Sequence, residues 1–98
     1  MSLDEETKKE LLGIICAALL SLASERDGTI RLKFERDIYS KLYSREDYRT
    51  KFHLTPRRTI YNLVKSIDAL KEDSNKPRGF TTTRTKLEEY MEKKGYKT

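Results

Sequence analysis

Ninety-eight residues, 36% hydrophobic and 38% charged, suffice for one small domain with a modest core and are too few for two that fold independently. The 21 lysines and arginines outnumber the 16 acids, an excess that suits anionic partners without requiring them. The single cysteine, Cys16, excludes an internal disulfide and a two-cysteine metal site and favours a reducing, intracellular setting.

Residues 4–25 are predicted as a long first helix, with acids in the opening turn and Leu11, Ile14, Ile15, Ala18 and Leu22 along one stripe. Asp27-Gly28 should end it. Leu12, Cys16, Leu19 and Leu20 widen the apolar arc beyond what a surface helix needs, which fits either a central core helix or a homodimer contact. The run from Leu11 to Ala23 is broken by Gly13 and Ser21 and is shorter than the roughly 20 residues that cross a bilayer, so no membrane anchor is expected. Asp4, Glu5, Glu6 and Glu10 also argue against the positive start of a secretory leader.

Thr29-Ile30-Arg31-Leu32-Lys33-Phe34 alternates apolar and basic residues, the pattern of a short half-buried strand at an edge or in a ribbon. From Phe34 the period changes to four, through Ile38 and Leu42, predicting a helix to about Tyr43. Ser44 and Asp47 form a weak capping pattern for a short helix ending near His53, with Tyr48 and Phe52 four apart.

Thr55-Pro56-Arg57-Arg58-Thr59-Ile60-Tyr61-Asn62-Leu63-Val64-Lys65 carries the most information in the chain. Thr55 suits an N-cap and Pro56 the first helical position. Ile60, Leu63, Val64, Ile67 and Leu70 fall on one stripe of a helix lasting to about Leu70, while Arg58, Tyr61, Asn62, Lys65 and Ala69 fall on the other side. Cations, an amide and a phenol near a helix start are groups that bond phosphates and base edges.

Asp73-Ser74-Asn75-Lys76-Pro77-Arg78-Gly79 is a loop rich in turn formers. Phe80-Thr81-Thr82-Thr83 has high strand propensity and is expected to pair with the Ile30 strand. Thr85 and Glu88 suggest a capping box for a last helix with Leu87, Tyr90 and Met91 inward and Gly95 as its stop. Residues up to Asp27 carry three cations and six acids, whereas those from Gly28 carry eighteen and ten. The basic surplus thus lies with the Thr55 helix.

This order of elements, together with Leu54-Thr55-Pro56-Arg57-Arg58-Thr59-Ile60-Tyr61-Asn62-Leu63-Val64, resembles the winged helix-turn-helix DNA-binding superfamily. The resemblance covers most of the chain. It implies a mostly α fold with a small β-ribbon, in which 1–98 form a single domain, 4–25 the first helix, 44–72 the helix-turn-helix and 73–83 the wing. It further implies groove contacts by Arg57, Arg58, Tyr61, Asn62 and Lys65, and phosphate or minor-groove contacts by Lys76 and Arg78. Arg49 and His53 depart from it, standing where that superfamily often has a small residue and a glycine.

A basic helix face is most often merely solvated, and the tyrosines at 39, 43, 48, 90 and 96 are expected at the edge of the core, with Tyr61 turned away from it. A lone His53 is expected in a turn. No catalytic constellation, metal cluster or cofactor motif is visible, so an enzyme is not expected. The expected function is sequence-related binding of double-stranded DNA, by an intracellular, cytoplasmic or nucleoid- or nucleus-associated homodimer acting as a transcriptional regulator or accessory factor. Arg31 and Lys33 are expected to add backbone contacts. The alternative is a protein–protein adaptor of winged-helix or helical-bundle fold with no nucleic-acid role.

Overall fold

Asp4 starts the first helix: its backbone is extended, and its carboxylate accepts the Thr7 N–H at 2.7 Å, with Glu5 and Glu6 beside the positive helix end. In this computed structural model, which describes residues 3–23 and 28–96, α1 runs Glu5–Leu22 and is capped by Ala23, earlier than expected. The expected stop residue Asp27 lies outside the described residues. No basic residue occupies the last turn of α1; instead Arg84, 61 residues beyond Ala23, donates from Nη1 to the Leu20 and Ala23 carbonyls at 3.3 Å each. A cation there satisfies carbonyls that the helix leaves unpaired.

Strand β1, Ile30–Lys33, follows the alternation in the sequence: Leu32 is buried, Arg31 and Lys33 are exposed. Beyond it Phe34, Ile38 and Leu42 are all fully buried, but the backbone winds differently from the expected α-helix. Phe34–Tyr39 is a π-helix, and only Ser40–Tyr43, α2, is α-helical. The wide turn is supported by the Ser40 hydroxyl, which donates to the Glu35 carbonyl five residues back at 3.1 Å. It is pinned at its start by Asp37, whose carboxylate accepts the Lys33 N–H at 2.7 Å and an Arg36 bond at 2.9 Å. The Arg36 guanidinium, ahead of the Lys33 N–H, holds the Asp37 carboxyl below its ordinary pKa.

Three helix starts differ from the sequence reading, each for a local reason. Ser44 has helical backbone angles as the end of α2 and donates to the Lys41 carbonyl at 2.7 Å, so α3, Glu46–Lys51, is capped by Arg45 and the Ser44/Asp47 box does not form. Pro56 is extended (ψ 142°) and its carbonyl receives the first helical bond from Ile60, so Pro56, not Thr55, caps α4, Arg57–Lys65, without a side-chain capping bond of its own. The last helix, α5, Arg84–Lys94, is capped by Thr83, whose hydroxyl accepts the Lys86 N–H at 3.2 Å; Thr85 lies inside the helix and is not the cap. Gly95 ends α5 with φ +79°, the left-handed geometry that only glycine adopts without strain.

Helix α4 is shorter than expected. It stops at Ser66, which donates to the Leu63 carbonyl at 2.6 Å, and Ile67 and Leu70 reach the core from turns. This leaves room for a strand that the sequence reading did not include, β2, Lys71–Glu72. It pairs with β3, Gly79–Thr82, which also pairs with β1, giving a three-stranded antiparallel sheet in the order β1-β3-β2. The expected pairing of the Ile30 and Phe80 segments holds, with Ile30 opposite Thr82 and Leu32 opposite Phe80. Buried Thr82 is satisfied by donating to the Ala69 carbonyl at 2.8 Å.

The molecule is therefore mostly helical, with a long N-terminal helix and a small antiparallel sheet. Helix α1 packs against α2, α3, α4 and α5. Its Leu11, Ile15, Cys16, Ala18 and Leu19 are buried, and Leu12, Ile14, Leu20 and Leu22 are half-buried against the same core, so most of the wide apolar arc is covered within one chain.

Candidate nucleic-acid interface

Amphipathicity turns the Ile60, Leu63 and Val64 side of α4 into the core and leaves Arg57, Arg58, Asn62 and Lys65 exposed. Arg49 and His53 are exposed in and before the turn that leads into α4, as is Leu54, at 83%. Tyr61 differs from its expected orientation. It is half-buried, its ring meeting Phe34 edge-on at 5.1 Å and Phe80 at 6.2 Å, because the π-helix and β3 both reach the flank of α4. Its ring therefore serves as a platform: the Arg78 guanidinium lies 5.1 Å and the Lys65 ammonium 5.6 Å from its centre.

The loop at residues 73–78 joins β2 to β3 and is closed by local bonds. The Asp73 N–H donates to the Gly79 carbonyl at 2.8 Å, the Asp73 carboxylate accepts the Asn75 N–H at 2.9 Å, and the Gly79 N–H reaches the Lys76 carbonyl at 3.1 Å. A Cβ at Gly79 would meet Lys76 atoms at 3.1 and 3.2 Å, so glycine suits this turn. Arg78 takes a left-handed φ of +59°, and its carbonyl accepts the Phe34 N–H at 3.0 Å. That bond ties the loop to the start of the π-helix.

Two arginines from distant parts of the chain thus converge on Glu35. Arg57 Nη1 is 2.6 Å from Glu35 Oε2, and Arg78 Nη1 is 3.8 Å from the same oxygen. The Arg57 guanidinium also lies 4.8 Å from the centre of the Tyr39 ring, and Tyr39 first, then Glu35, raises its already high pKa. An open cleft of about 470 Å³ lies here, lined by Phe34, Glu35, Arg57, Arg58, Tyr61, Asn62 and Arg78. Five of the expected contact residues (Arg57, Arg58, Tyr61, Asn62 and Arg78) therefore share one cleft, Lys65 reaches its edge over Tyr61, and Lys76 stands apart on the exposed loop. Arg31 and Lys33 are exposed on β1.

Glu35, Phe34 and Tyr39 are the site residues that sequence reasoning did not find. The periodicity from Phe34 marks the buried side of that segment, but the contact between Glu35 and Arg57 spans 22 residues and leaves no local signature. Elsewhere, an open cleft of about 490 Å³ is lined by Lys71, Lys86 and Lys93 together with Asp68, Glu89 and Tyr90, so its cations are interleaved with acids. No cluster of potential metal ligands occurs among the described residues, and among them no helix is long and apolar enough to cross a membrane.

Comparisons with known proteins add no relative. No family model, curated protein or solved structure matches the chain.

Proposed function

We propose that the chain is a winged helix-turn-helix protein that binds double-stranded DNA, with α4 as its recognition helix and the loop at residues 73–78 as its wing. The observation that carries this reading is the convergence of Arg57, Arg58, Asn62 and Arg78 on one open cleft between α4 and the hairpin. Arginine forks bond phosphate or guanine edges, and an amide on the groove-facing side of a helix can bond adenine in two places. Exposed Lys65, over the Tyr61 ring, and exposed Lys76, on the loop, add positive charge to α4 and the hairpin. In this scheme Arg31 and Lys33 add backbone contacts from β1. Regulation of transcription by an intracellular homodimer joined through α1 belongs to the same proposal, and the half-buried Leu12, Ile14, Leu20 and Leu22 are the residues available for that contact.

Fluorescence anisotropy with a generic duplex at low salt tests the reading. Saturable binding that weakens as salt rises is expected. No binding at low salt, combined with a stable protein partner in pull-down, would reject it in favour of an adaptor role.

A further inference from the structure

We infer that Glu35 is a displaceable internal counter-ion for a phosphate seat formed by Arg57 and Arg78. The inference takes the identity of the ligand, a backbone phosphate of duplex DNA, from the function proposed above; the seat itself follows from the geometry. One carboxylate oxygen faces both guanidinium groups, at 2.6 Å from Arg57 and 3.8 Å from Arg78. A backbone phosphodiester presents the same single negative charge, on two non-bridging oxygens, to the same two forks.

Each arginine has a support that does not depend on Glu35. Arg57 lies over Tyr39 at 4.8 Å and Arg78 over Tyr61 at 5.1 Å, so both forks keep an aromatic backing when the carboxylate leaves. The Arg78 backbone is fixed in place by the bond from the Phe34 N–H to its carbonyl. Glu35, by contrast, is half in solvent, as are its two partners, with side-chain exposures of 51%, 56% and 54%. Water screens such a pair, and its rupture leaves no buried charge behind.

Two functional consequences follow. With Glu35 present the cluster carries one net positive charge, and with a neutral residue there it carries two. By that count the native cluster neutralises the one seated phosphate, whereas a cluster of charge two also offsets a neighbouring one, so binding by the native protein releases about one cation fewer from the duplex. Glu35 also competes with weakly held anions, so that a polyanion with further contacts along α4 and the hairpin is favoured over a free phosphate ion.

The test compares the native protein with Glu35→Gln, using duplex anisotropy across a salt series and inorganic phosphate titrations followed through the arginine Nε–H signals by NMR. Thermal melting checks that both proteins are folded. The expected result is that Glu35→Gln binds the duplex about threefold to tenfold more tightly at low salt, with a log–log salt slope steeper by about 0.9. Phosphate is expected to shift the Arg57 and Arg78 signals further in the variant. If both proteins bind the duplex with equal affinity and slope, the counter-ion role is overturned and the duplex reading stands. If neither binds the duplex, that reading fails and the phosphate titration decides the seat: larger shifts in Glu35→Gln uphold it, and equal or absent shifts overturn it.

Discussion

Asn62 and Tyr61 are neighbours in sequence and play opposite parts at the α4 surface. Asn62 is exposed and lines the cleft, whereas the Tyr61 ring is held between Phe34, Phe80 and two cations. Under the proposed duplex reading, the adenine-reading role on this helix therefore falls to the Asn62 amide and not to the Tyr61 phenol. Asn62→Ala is expected to cost roughly 1–3 kcal/mol on a preferred duplex and little on random sequence. Binding titrations on both duplexes check this, and equal losses would remove Asn62 as the reading residue. At the same scale, spacing within α4 was enough to separate exposed Arg58 and Asn62 from buried Ile60 and Val64. It could not show that Tyr61 is covered, because the covering rings come from residues 27 positions before it and 19 after it.

The elements owe their ends to particular side chains, and these make sharp tests. Thr83 caps α5 by accepting the Lys86 N–H; Thr83→Ala should lower stability by about 1 kcal/mol in urea unfolding. Gly95 ends the same helix at φ +79°, and Gly95→Ala should cost about 1–2 kcal/mol for placing a Cβ in the left-handed region. In the proposed complex the hairpin loop supplies phosphate contacts through Lys76 and Arg78. Replacing both with glutamine should weaken binding to every duplex alike and flatten the log–log salt slope, by about 0.9 for each phosphate no longer neutralised. An unchanged slope would remove the hairpin from the interface. Element identity was legible from periodic burial in α1, β1 and α4, whereas the period through Phe34, Ile38 and Leu42 did not distinguish a π-helix from an α-helix; the pairing of β1 with β3 rested on the alternation of one segment and the strand propensity of the other. Helix ends were less legible. Ser44, Thr55 and Thr85 are all good capping residues by type, yet the neighbouring backbone assigns the cap to Arg45, Pro56 and Thr83. The two-residue strand β2 is too short to have a period of its own.

At the scale of the whole molecule, the core is built on neutral groups that resist ionisation. Burial pushes the Cys16 thiol up to about 12 from its ordinary 9.0, and burial first, then Tyr96, pushes the Tyr90 phenol up to about 12 from 10.0. Burial also raises Tyr48, whose enclosed hydroxyl has no hydrogen-bond partner among the described residues. In each case the unfolded chain loses its proton at a lower pH than the folded one. Their contribution to stability is therefore intact below about pH 9 and declines as pH rises towards about 12. Urea midpoints measured across that range should fall steadily, and a flat profile would contradict this picture of the core. Above the core, one face gathers arginines from α4 and the hairpin around Glu35, while the cleft between Lys71 and α5 mixes its lysines with Asp68 and Glu89. That contrast makes the α4 face the place where duplex DNA is expected to bind. NMR mapping of backbone amide shifts during titration with a duplex tests this most directly. Shifts concentrated at residues 57–65 and 73–79 are expected; shifts concentrated on α1, or on the Lys71, Lys86 and Lys93 cleft, would contradict it.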